Sequence, residues 1–435
     1  MGKLLVKVLG GAGEVGRAAV LVKSLESGTA VLLDYGVNFD EQDRPLFPQH
    51  VRPRDITCVA LSHAHLDHCG SLPSLFVSYE LALYATPLTI ELSDLLIKDL
   101  LKLSGYYLPY EHREVSKMLE CTVPVTYGEV VEVTRDLTLT FLNAGHVPGS
   151  SMILIEMDGW RILYTGDFNP MPTCLLNGAD LSNIPKDIDL VIMEGTYVNG
   201  THPPREVLER QLVEITLSVL EEGGCVLIPS FTVGRSQEVL SILVKYGIDT
   251  YPIIVDGLAR IANEIIARYP HYLRDYKLYK RAMEVAIEVP SEYFRRNVGS
   301  EPCIIISPAG MLKGGAVIQY LKKLSKNRKN AIILPSFQAP GTPGFQILTR
   351  GKAIVDNKEI KIDAQIYWLD LSAHAGRREL EEFIRRFGTN TRIIMVHTTL
   401  LNALKFVTRL KQKYDIDNVL VPRNLGETLV LEKTA

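Results

Sequence analysis

The sequence lacks three features that would each indicate a class of protein. It contains no apolar run of about 18 residues, the length that a membrane-spanning helix requires. The N-terminal segment KLLVKVLGG has no apolar stretch followed by a cleavage site, so we expect no secretory signal. Charge of either sign is not in excess, since 47 Lys and Arg residues face 50 Asp and Glu residues, for a net charge of −3. These absences disfavour a membrane protein, a secreted protein and a globally basic nucleic-acid binder.

Cysteine is scarce and widely spaced. The six cysteines include no CxxC pair and no two closer than 11 residues, which disfavours a thiolate zinc site and a disulfide framework. We interpret them as small buried side chains in a reducing cytoplasm. The remaining composition, 435 residues with 46% hydrophobic and 22% charged, is typical of a soluble globular protein of two or three domains.

Strand-like and helix-like segments alternate and predict an α/β protein. The front is rich in strands such as LLVKVL and AVLLDYG. From about residue 203 the helix PPREVLERQLVEITLSVLEEGG precedes the apolar runs CVLIPS, YPIIVDG, CIIISPAG and AIILPS, which indicate buried parallel strands. The tail has one strand in IKIDAQIYWLD, another in RIIMVH and a helix in LLNALKFVTRLKQKY. We expect the middle to be an insertion and the tail to rejoin the front domain.

The segment GGAGEVGR at 10–17 raises a separate hypothesis. Gly11, Gly13 and Gly16 form a G-x-G-x-x-G pattern, and Asp34 follows 18 positions later, as in a dinucleotide-binding unit. Such a unit needs a helix after the third glycine. Here RAAVLVKSL leads quickly to an ESGT turn and reads at least as well as a strand. A tight turn between the first two strands is therefore favoured, and NAD or FAD binding stays an alternative.

The hexapeptide HAHLDH carries the clearest chemical signal. His63 and His65 follow a predicted strand and point the same way, so they can bind one metal ion, while Asp67 and His68 lie across the turn for a second. Imidazole and carboxylate without thiolate suit Zn²⁺ better than Mn²⁺ or Fe. The chain has 10 histidines, so three within six positions disfavour coincidence.

Four ligands do not complete two tetrahedral sites. His146 in LNAGHVPGSS, Asp167 in ILYTGDFN and His397 in RIIMVHTT each lie at or near the end of a predicted strand. The carboxylate of Asp167 is suited to bridging two metals.

The order of these residues resembles that of the metallo-β-lactamase-fold hydrolases, in which an Asp closing an early strand precedes HxHxDH, His, Asp and His. The segments MEGTY, PSFTVGRSQE, SPAGML, QAPGTPG, LSAHAGR and VPRNLGET resemble the β-CASP branch. The likeness covers essentially the whole chain. It is closest to the short archaeal relatives of the endonuclease subunit of the cleavage and polyadenylation specificity factor, and more distant to ribonuclease J.

The resemblance implies a four-layer αββα sandwich with an inserted α/β domain of mainly parallel sheet. We expect residues 1–198 and 373–435 to form the metallo-β-lactamase domain and residues 199–372 to form the β-CASP domain. One departure is the pair Thr398 and Thr399, which replaces the Gly-Glu that usually follows the last histidine.

The resemblance also implies roles for single residues. His63, His65 and His146 would bind one zinc ion, Asp67, His68 and His397 a second, and Asp167 would bridge the two. Asp34 would orient a ligand imidazole. With Asp67, the expected catalytic residues are His374, as general acid at the scissile phosphate, and Glu194, which would orient it.

Together these features predict a zinc-dependent ribonuclease with two Zn²⁺ per chain. We expect single-stranded RNA in a cleft between the domains, cut endonucleolytically, with 5′→3′ exonuclease action left open. Expected phosphate contacts are Arg235, Ser236, Ser307 and Ser372. We expect a cytoplasmic protein, and a homodimer stays open. The alternatives are a metallo-hydrolase of a small ester or thioester, an RNA-binding scaffold and the dinucleotide enzyme.

Overall fold

The first two strands form a hairpin, and the glycine-rich segment is the connection between them. In β1 (Lys3–Gly10), Val6 and Val8 are fully buried and alternate with half-buried residues, the period of a strand with one core face. β2 (Ala19–Ser24) follows directly and pairs antiparallel with β1. The dinucleotide-binding alternative is wrong, because the glycines lead into a strand where that unit requires a helix.

The computed structural model describes residues 2–433, which fall into two units. Unit 1 comprises the chain up to Pro172, then Gly178–Thr201, then the chain from Ala373 onward, and unit 2 comprises Thr173–Asn177 and His202–Ser372. The remaining strands of the front segment are β3 (Ala30–Leu33), β4 (Asn38–Phe39), β5 (Pro45–Leu46), β6 (Cys58–Ala60), β7 (Leu83–Ala85), β8 (Thr122–Pro124), β9 (Val130–Thr134), β10 (Leu137–Asn143), β11 (Ser151–Met157), β12 (Trp160–Tyr164) and β13 (Leu190–Glu194). Its helices are α1 (Leu66–Cys69), α2 (Pro87–Ser104) and α3 (His112–Glu120).

The middle segment supplies the strands and helices of unit 2. Its strands are β14 (Val226–Pro229), β15 (Ile253–Val255), β16 (Ile287–Glu288), β17 (Ile304–Ser307), β18 (Ala331–Leu334), β19 (Lys352–Val355), β20 (Lys358–Lys361) and β21 (Gln365–Trp368). Its helices are α4 (Arg205–Glu221), α5 (Arg235–Lys245), α6 (Ala259–Ala267), α7 (Tyr276–Val285), α8 (Glu292–Asn297), α9 (Val317–Leu324) and α10 (Pro343–Arg350). The tail, back in unit 1, holds α11 (Arg377–Ile384), β22 (Arg392–Val396), α12 (Leu400–Tyr414), β23 (Val419–Leu420) and β24 (Glu427–Glu432).

Unit 1 contains two seven-stranded sheets, ordered β24-β1-β2-β3-β6-β7-β8 and β23-β22-β13-β12-β11-β10-β9. Side chains from both sheets, including Val6 and Phe141, share one buried core between them. The outer face of the first sheet packs on α2 and α3, and that of the second on α11 and α12. The strands of the tail thus complete both sheets, and the predicted four-layer αββα sandwich is confirmed.

Unit 2 is built on a six-stranded parallel sheet in the order β16-β15-β17-β14-β18-β21. Apolar residues cover both faces, with α4 and α5 on one side and α9 and α10 on the other. The expectation of a single strand over IKIDAQIYWLD is wrong. The chain bends between β20 and β21 because the N–H groups of Asp363 and Ala364 both bond to the carbonyl of Ser325, at 2.8 and 2.9 Å.

Candidate metal centre

The predicted ligands of unit 1 meet where several strands end. His63 lies three residues after β6, Asp167 three residues after β12 and His397 directly after β22, while His146 lies in the β10–β11 connection. Their ligand atoms form groups within 4.8 Å of one another: His63, His65 and His146; His63, His68 and Asp167; Asp67, His68 and His397; His146, Asp167 and His374. All seven predicted ligands and the predicted catalytic histidine therefore occupy one site.

Asp167 stands at the centre of this group. Its Oδ2 lies 3.2 Å from His68 Nε2, 3.7 Å from His63 Nε2 and 3.8 Å from His146 Nε2, and its Oδ1 lies 4.0 Å from His397 Nε2. One carboxylate thus faces imidazoles of both predicted metal groups. This is the geometry that a bridging ligand needs.

The buried carboxylate of Asp34 fixes the orientation of His68. Its Oδ2 accepts hydrogen bonds from His68 Nδ1 and from the hydroxyls of Ser62 and Tyr164, all at 2.7 Å, and its Oδ1 accepts the Ser62 N–H. Because Nδ1 is held in this way, Nε2 of His68 is directed at the cluster as a lone-pair donor. The carbonyl of Ala373 holds His146 Nδ1 likewise, at 2.8 Å.

The donor atoms suit a cation in their chemistry, and two of the imidazoles also suit it in their protonation. His65 Nε2 and Asp167 Oδ1 are buried without a hydrogen bond, which is costly unless a cation binds them. Burial lowers the pKa of His63 and of His146 well below the usual value and favours the neutral imidazole that metals bind. For His68 burial acts the same way, but the carboxylates of Asp167 and Asp67 outweigh it and raise the pKa.

His374 lies beside the cluster and is bound to Glu194. Its Nδ1 is 3.0 and 3.1 Å from the two carboxylate oxygens, and its ring centre is 4.5 Å from that of His146. Burial lowers the pKa of His374, but the charges of Glu194 and Asp167 outweigh this and raise it to about 9. Glu194 also accepts the N–H of Phe168, next to Asp167, at 2.9 Å. One buried carboxylate therefore holds both the histidine and the loop that carries Asp167.

The glycine-rich segment contacts the centre through its backbone. The carbonyl of Gly11 accepts the N–H of His397 at 2.8 Å, and Gly11 has φ +78°. His397 itself has φ +56°, so this hydrogen bond secures a conformation that non-glycine residues rarely adopt. Thr398 is buried, and Thr399 precedes the first turn of α12 as its N-terminal cap residue.

The four predicted phosphate contacts belong to unit 2 and not to this cluster. Arg235 and Ser236 open α5, and the Ser236 hydroxyl donates to the carbonyl of Phe231 at 2.7 Å. Ser307 ends β17, with its hydroxyl 3.1 Å from the carbonyl of Pro308. Ser372 is the last residue of unit 2, and its carbonyl accepts from Arg205 at 2.9 Å.

Sequence reasoning missed Ser62 and Tyr164, although both lie close to predicted ligands. Ser62 directly precedes the hexapeptide, and Tyr164 ends the strand that leads to Asp167. The only signal in the sequence was their position next to predicted ligands. A hydroxyl residue at such a position is common and does not by itself indicate a role. In the fold, both hydroxyls donate to Asp34 and so help to fix the carboxylate that orients His68.

Comparisons with known proteins identify the family. Three family models match: a metallo-beta-lactamase superfamily domain at residues 24–196, a Beta-Casp domain at 236–347 and a Zn-dependent metallo-hydrolase RNA specificity domain at 359–422. A protein named RNase aCSPSF2 from Saccharolobus solfataricus is 39% identical over 96% of this chain and 84% of its own length. The chain belongs to the β-CASP branch of the metallo-β-lactamase superfamily. As a β-CASP protein of this superfamily it is a metal-dependent hydrolase.

Other relatives of this β-CASP protein are also archaeal. A probable RNase MJ4 from Methanocaldococcus jannaschii is 35% identical over 88% of this chain and 91% of its own length. A transcription termination factor FttA from Pyrococcus horikoshii is 36% identical over 96% of this chain and 69% of its own length. The family predicted from the motifs is thereby confirmed.

A solved structure shows the same fold. The crystal structure of a protein of unknown function from Enterococcus faecalis matches with a TM-score of 0.61 at 15% sequence identity and covers 99% of this chain and 100% of that chain. At that identity the match supports the fold alone. Among residues 2–433, no helix combines the length and apolar character needed to cross a bilayer.

Proposed function

We propose that this β-CASP protein is a ribonuclease that hydrolyses phosphodiester bonds of single-stranded RNA with two zinc ions per chain. One observation carries the proposal. Asp167 lies within 4.0 Å of imidazoles from two separate donor groups, so the cluster offers a pair of adjacent sites with a shared carboxylate. Such pairs are typical of enzymes that cleave phosphate esters.

The proposed ligands divide as the donor groups do. One ion would be held by His63, His65 and His146, the other by Asp67, His68 and His397, and Asp167 would contact both. When bound, a pair of divalent ions would supply Lewis acidity at the phosphate and would lower the pKa of a water molecule, so that hydroxide is available at neutral pH. Histidine and carboxylate donors without thiolate support zinc as the metal.

His374 is the proposed general acid. The leaving sugar oxygen needs a proton, and an imidazolium held by a carboxylate at Nδ1 presents its Nε2 proton to the reacting group. Glu194 provides that carboxylate at 3.0 Å, and its charge raises the pKa of His374 and so favours the protonated ring. The role of Glu194 is to position this ring and favour its charged form.

RNA as the substrate is supported by the relatives. Two of them are named RNases, and the family model over residues 359–422 is described as an RNA specificity domain. Arg235, Ser236, Ser307 and Ser372 stay predicted phosphate contacts. Endonucleolytic cleavage is the main proposed mode, with 5′→3′ exonuclease action as a second. We further propose a cytoplasmic location, and light scattering would test a homodimer.

The deciding experiment compares RNAs labelled at the 5′ end and internally, with monophosphate or triphosphate ends. Wild type should release internal fragments, and Asp67→Ala should not. The matched control is Asp136→Ala, an exposed carboxylate outside the cluster, which should cleave like wild type. Cleavage by Asp67→Ala at the wild-type rate would contradict the proposal. Hydrolysis of a small ester with RNA left intact would favour the small-molecule alternative, and RNA binding with neither activity would favour the scaffold.

A further inference from the structure

Unit 2 exposes three aromatic rings at one end of its parallel sheet. Phe231, Phe337 and Trp368 are 36%, 49% and 51% exposed, whereas all residues of β14 and β18 are buried. Phe231 follows β14 by two residues, Phe337 follows β18 by three, and Trp368 is the last residue of β21. All three belong to the carboxyl ends of their strands.

These strands are neighbours in the sheet. β14 pairs with β18, and β18 pairs with β21, in both cases in parallel. Trp368 is in register with Leu334, the last residue of β18, and Leu227 of β14 is in register with Ile332 of β18. Because adjacent strands lie about 4.8 Å apart, the three residues follow one another at the carboxyl ends of three neighbouring strands. In open parallel sheets, ligands bind outside this edge.

Buried hydrogen bonds hold the backbone around the rings. The indole Nε1 of Trp368 donates to the carbonyl of Ser336 at 3.2 Å. The side-chain amide of Gln338 donates to the same carbonyl at 3.1 Å and to that of Gly310 at 3.0 Å, and so connects the loops after β17 and β18. At β14 the N–H and hydroxyl of Ser236 both bond to the carbonyl of Phe231. Rings supported in this way lose little further freedom when a flat ligand binds.

The exposed area is small for a protein partner but suits nucleobases. Aromatic side chains have roughly 150–250 Å² each, so the exposed fractions sum to roughly 300 Å². A stable protein interface needs about 800 Å² per partner. Stacking of bases on single rings needs no large surface and tolerates any sequence, because every base has a π-face. The RNA specificity domain matched at 359–422 includes Trp368.

We propose that Phe231, Phe337 and Trp368 form a stacking surface for the bases of single-stranded RNA. The inference rests on the proposed function and specifies how that substrate is bound. Unit 2 would then bind unpaired bases selectively, because a base inside a duplex has no free face on which a ring can stack. Affinity should therefore depend on the bases themselves and not on the phosphate backbone alone.

The test measures RNA binding without cleavage, using full-length protein with Asp67→Ala in every variant. A single-stranded RNA and an abasic chain of equal length are compared. Trp368→Ala and Phe337→Ala should each weaken binding of the RNA by roughly 5- to 100-fold and leave binding of the abasic chain unchanged. The matched control is Tyr293→Ala, which removes an 80% exposed ring of unit 2 from α8 and should change neither affinity.

Tryptophan fluorescence gives a second, direct readout. The chain has two tryptophans, and Trp160 is buried at 2% exposure, so an RNA that stacks on the sheet edge should quench Trp368 alone. Trp368→Phe keeps an aromatic face, so it should abolish the quench while keeping most of the affinity. This pattern separates stacking from damage to the fold.

Several results would overturn the inference. One such result is equal affinity of the parent protein for the RNA and for the abasic chain. Another is an equal loss of affinity for both chains in the Trp368→Ala protein. Either result would show that the bases do not contribute to binding. Release of a dimer to monomers by Trp368→Ala would make this edge a protein interface. If wild type cleaves RNA but the Asp67→Ala parent binds both chains equally, the proposed function stands and this inference is wrong. A protein that binds neither chain loses both.

Discussion

The two units place their functional candidates at strand ends but use opposite kinds of side chain. In unit 1, His63 and Asp34 are fully buried, and Asp34 is hydrogen-bonded to the buried ring of His68. In unit 2, Phe337 and Trp368 are about half exposed and face solvent. Removing one member of a buried charged group leaves its neighbours unpaired, whereas each exposed ring contacts a ligand by itself. We therefore expect steep, cooperative losses in unit 1 and graded losses in unit 2.

The largest effect should come from the carboxylate at the centre of the cluster. Asp167→Ala removes the group within 4.0 Å of four imidazoles, so metal content should fall and RNA cleavage should drop by about 10³-fold or more. Mass spectrometry of bound metals and a cleavage assay measure the two effects. Asp136→Ala should keep wild-type metal content. Full metal content in Asp167→Ala would show that the site does not depend on this residue.

A somewhat smaller effect is expected at His374. His374→Ala should lower cleavage about 10²- to 10³-fold with metal content retained, because a general acid is lost and the ligands remain. Glu194→Gln should have a milder effect on rate and shift the basic limb of the pH–rate profile to lower pH, since the carboxylate raises the pKa of His374. His112→Ala, an exposed residue at the start of α3, is the control. An unchanged pH–rate profile in Glu194→Gln would show that the Glu194 carboxylate does not control the protonation of the general acid.

Unit 2 also contains a buried carboxylate with several hydrogen-bond partners, Glu238. It is 3% exposed and accepts hydrogen bonds from Arg205 and from the N–H groups of Cys174 and Leu175, both in the short segment Thr173–Asn177. Glu238→Ala should lower the free energy of unfolding by about 3 kcal/mol, because the partly buried guanidinium of Arg205 loses its carboxylate partner and two backbone N–H groups lose their acceptor. Urea denaturation measures this change against Glu214→Gln, an exposed site on α4. A loss equal to the control would mean that solvent replaces these bonds.

The smallest effect is expected for Glu381, which joins α11 to α12. Burial raises its pKa, but hydrogen bonds from Arg409, Tyr414 and Lys413 outweigh this and lower the pKa to about 2. A depressed carboxyl pKa stabilises the fold above the unfolded value of about 4.3, and this contribution is lost as the pH falls toward 2.

Urea unfolding of Glu381→Gln checks this pH dependence. Because Arg409 and Lys413 are about half exposed, the variant should lose only about 1–2 kcal/mol at pH 6 and less at pH 3. Glu382→Gln, on the exposed side of α11, should show no such trend. A constant difference between Glu381→Gln and wild type at both pH values would contradict the assignment.

Sequence reasoning succeeded where residue type alone is informative. Ten histidines are few enough that HAHLDH, His146 and His397 stood out, and strand-ending positions explained why they could meet. Phe231, Phe337 and Trp368 did not stand out, because an aromatic residue near a buried strand is usually part of the core. Only exposure and strand order separate them from core rings such as Phe141. Likewise, Thr173–Asn177 joins unit 2 through backbone groups that no side-chain pattern encodes.

The place of β22 in the second sheet of unit 1 has a consequence for the order of events during synthesis. β22 pairs with β13 and ends one residue before His397, yet nearly two hundred residues of chain separate these two strands, most of them belonging to unit 2. A ribosome therefore has to translate all of unit 2 before His374, the proposed general acid, and His397, the last proposed ligand, exist. The nascent chain therefore carries an incomplete donor cluster throughout the synthesis of unit 2.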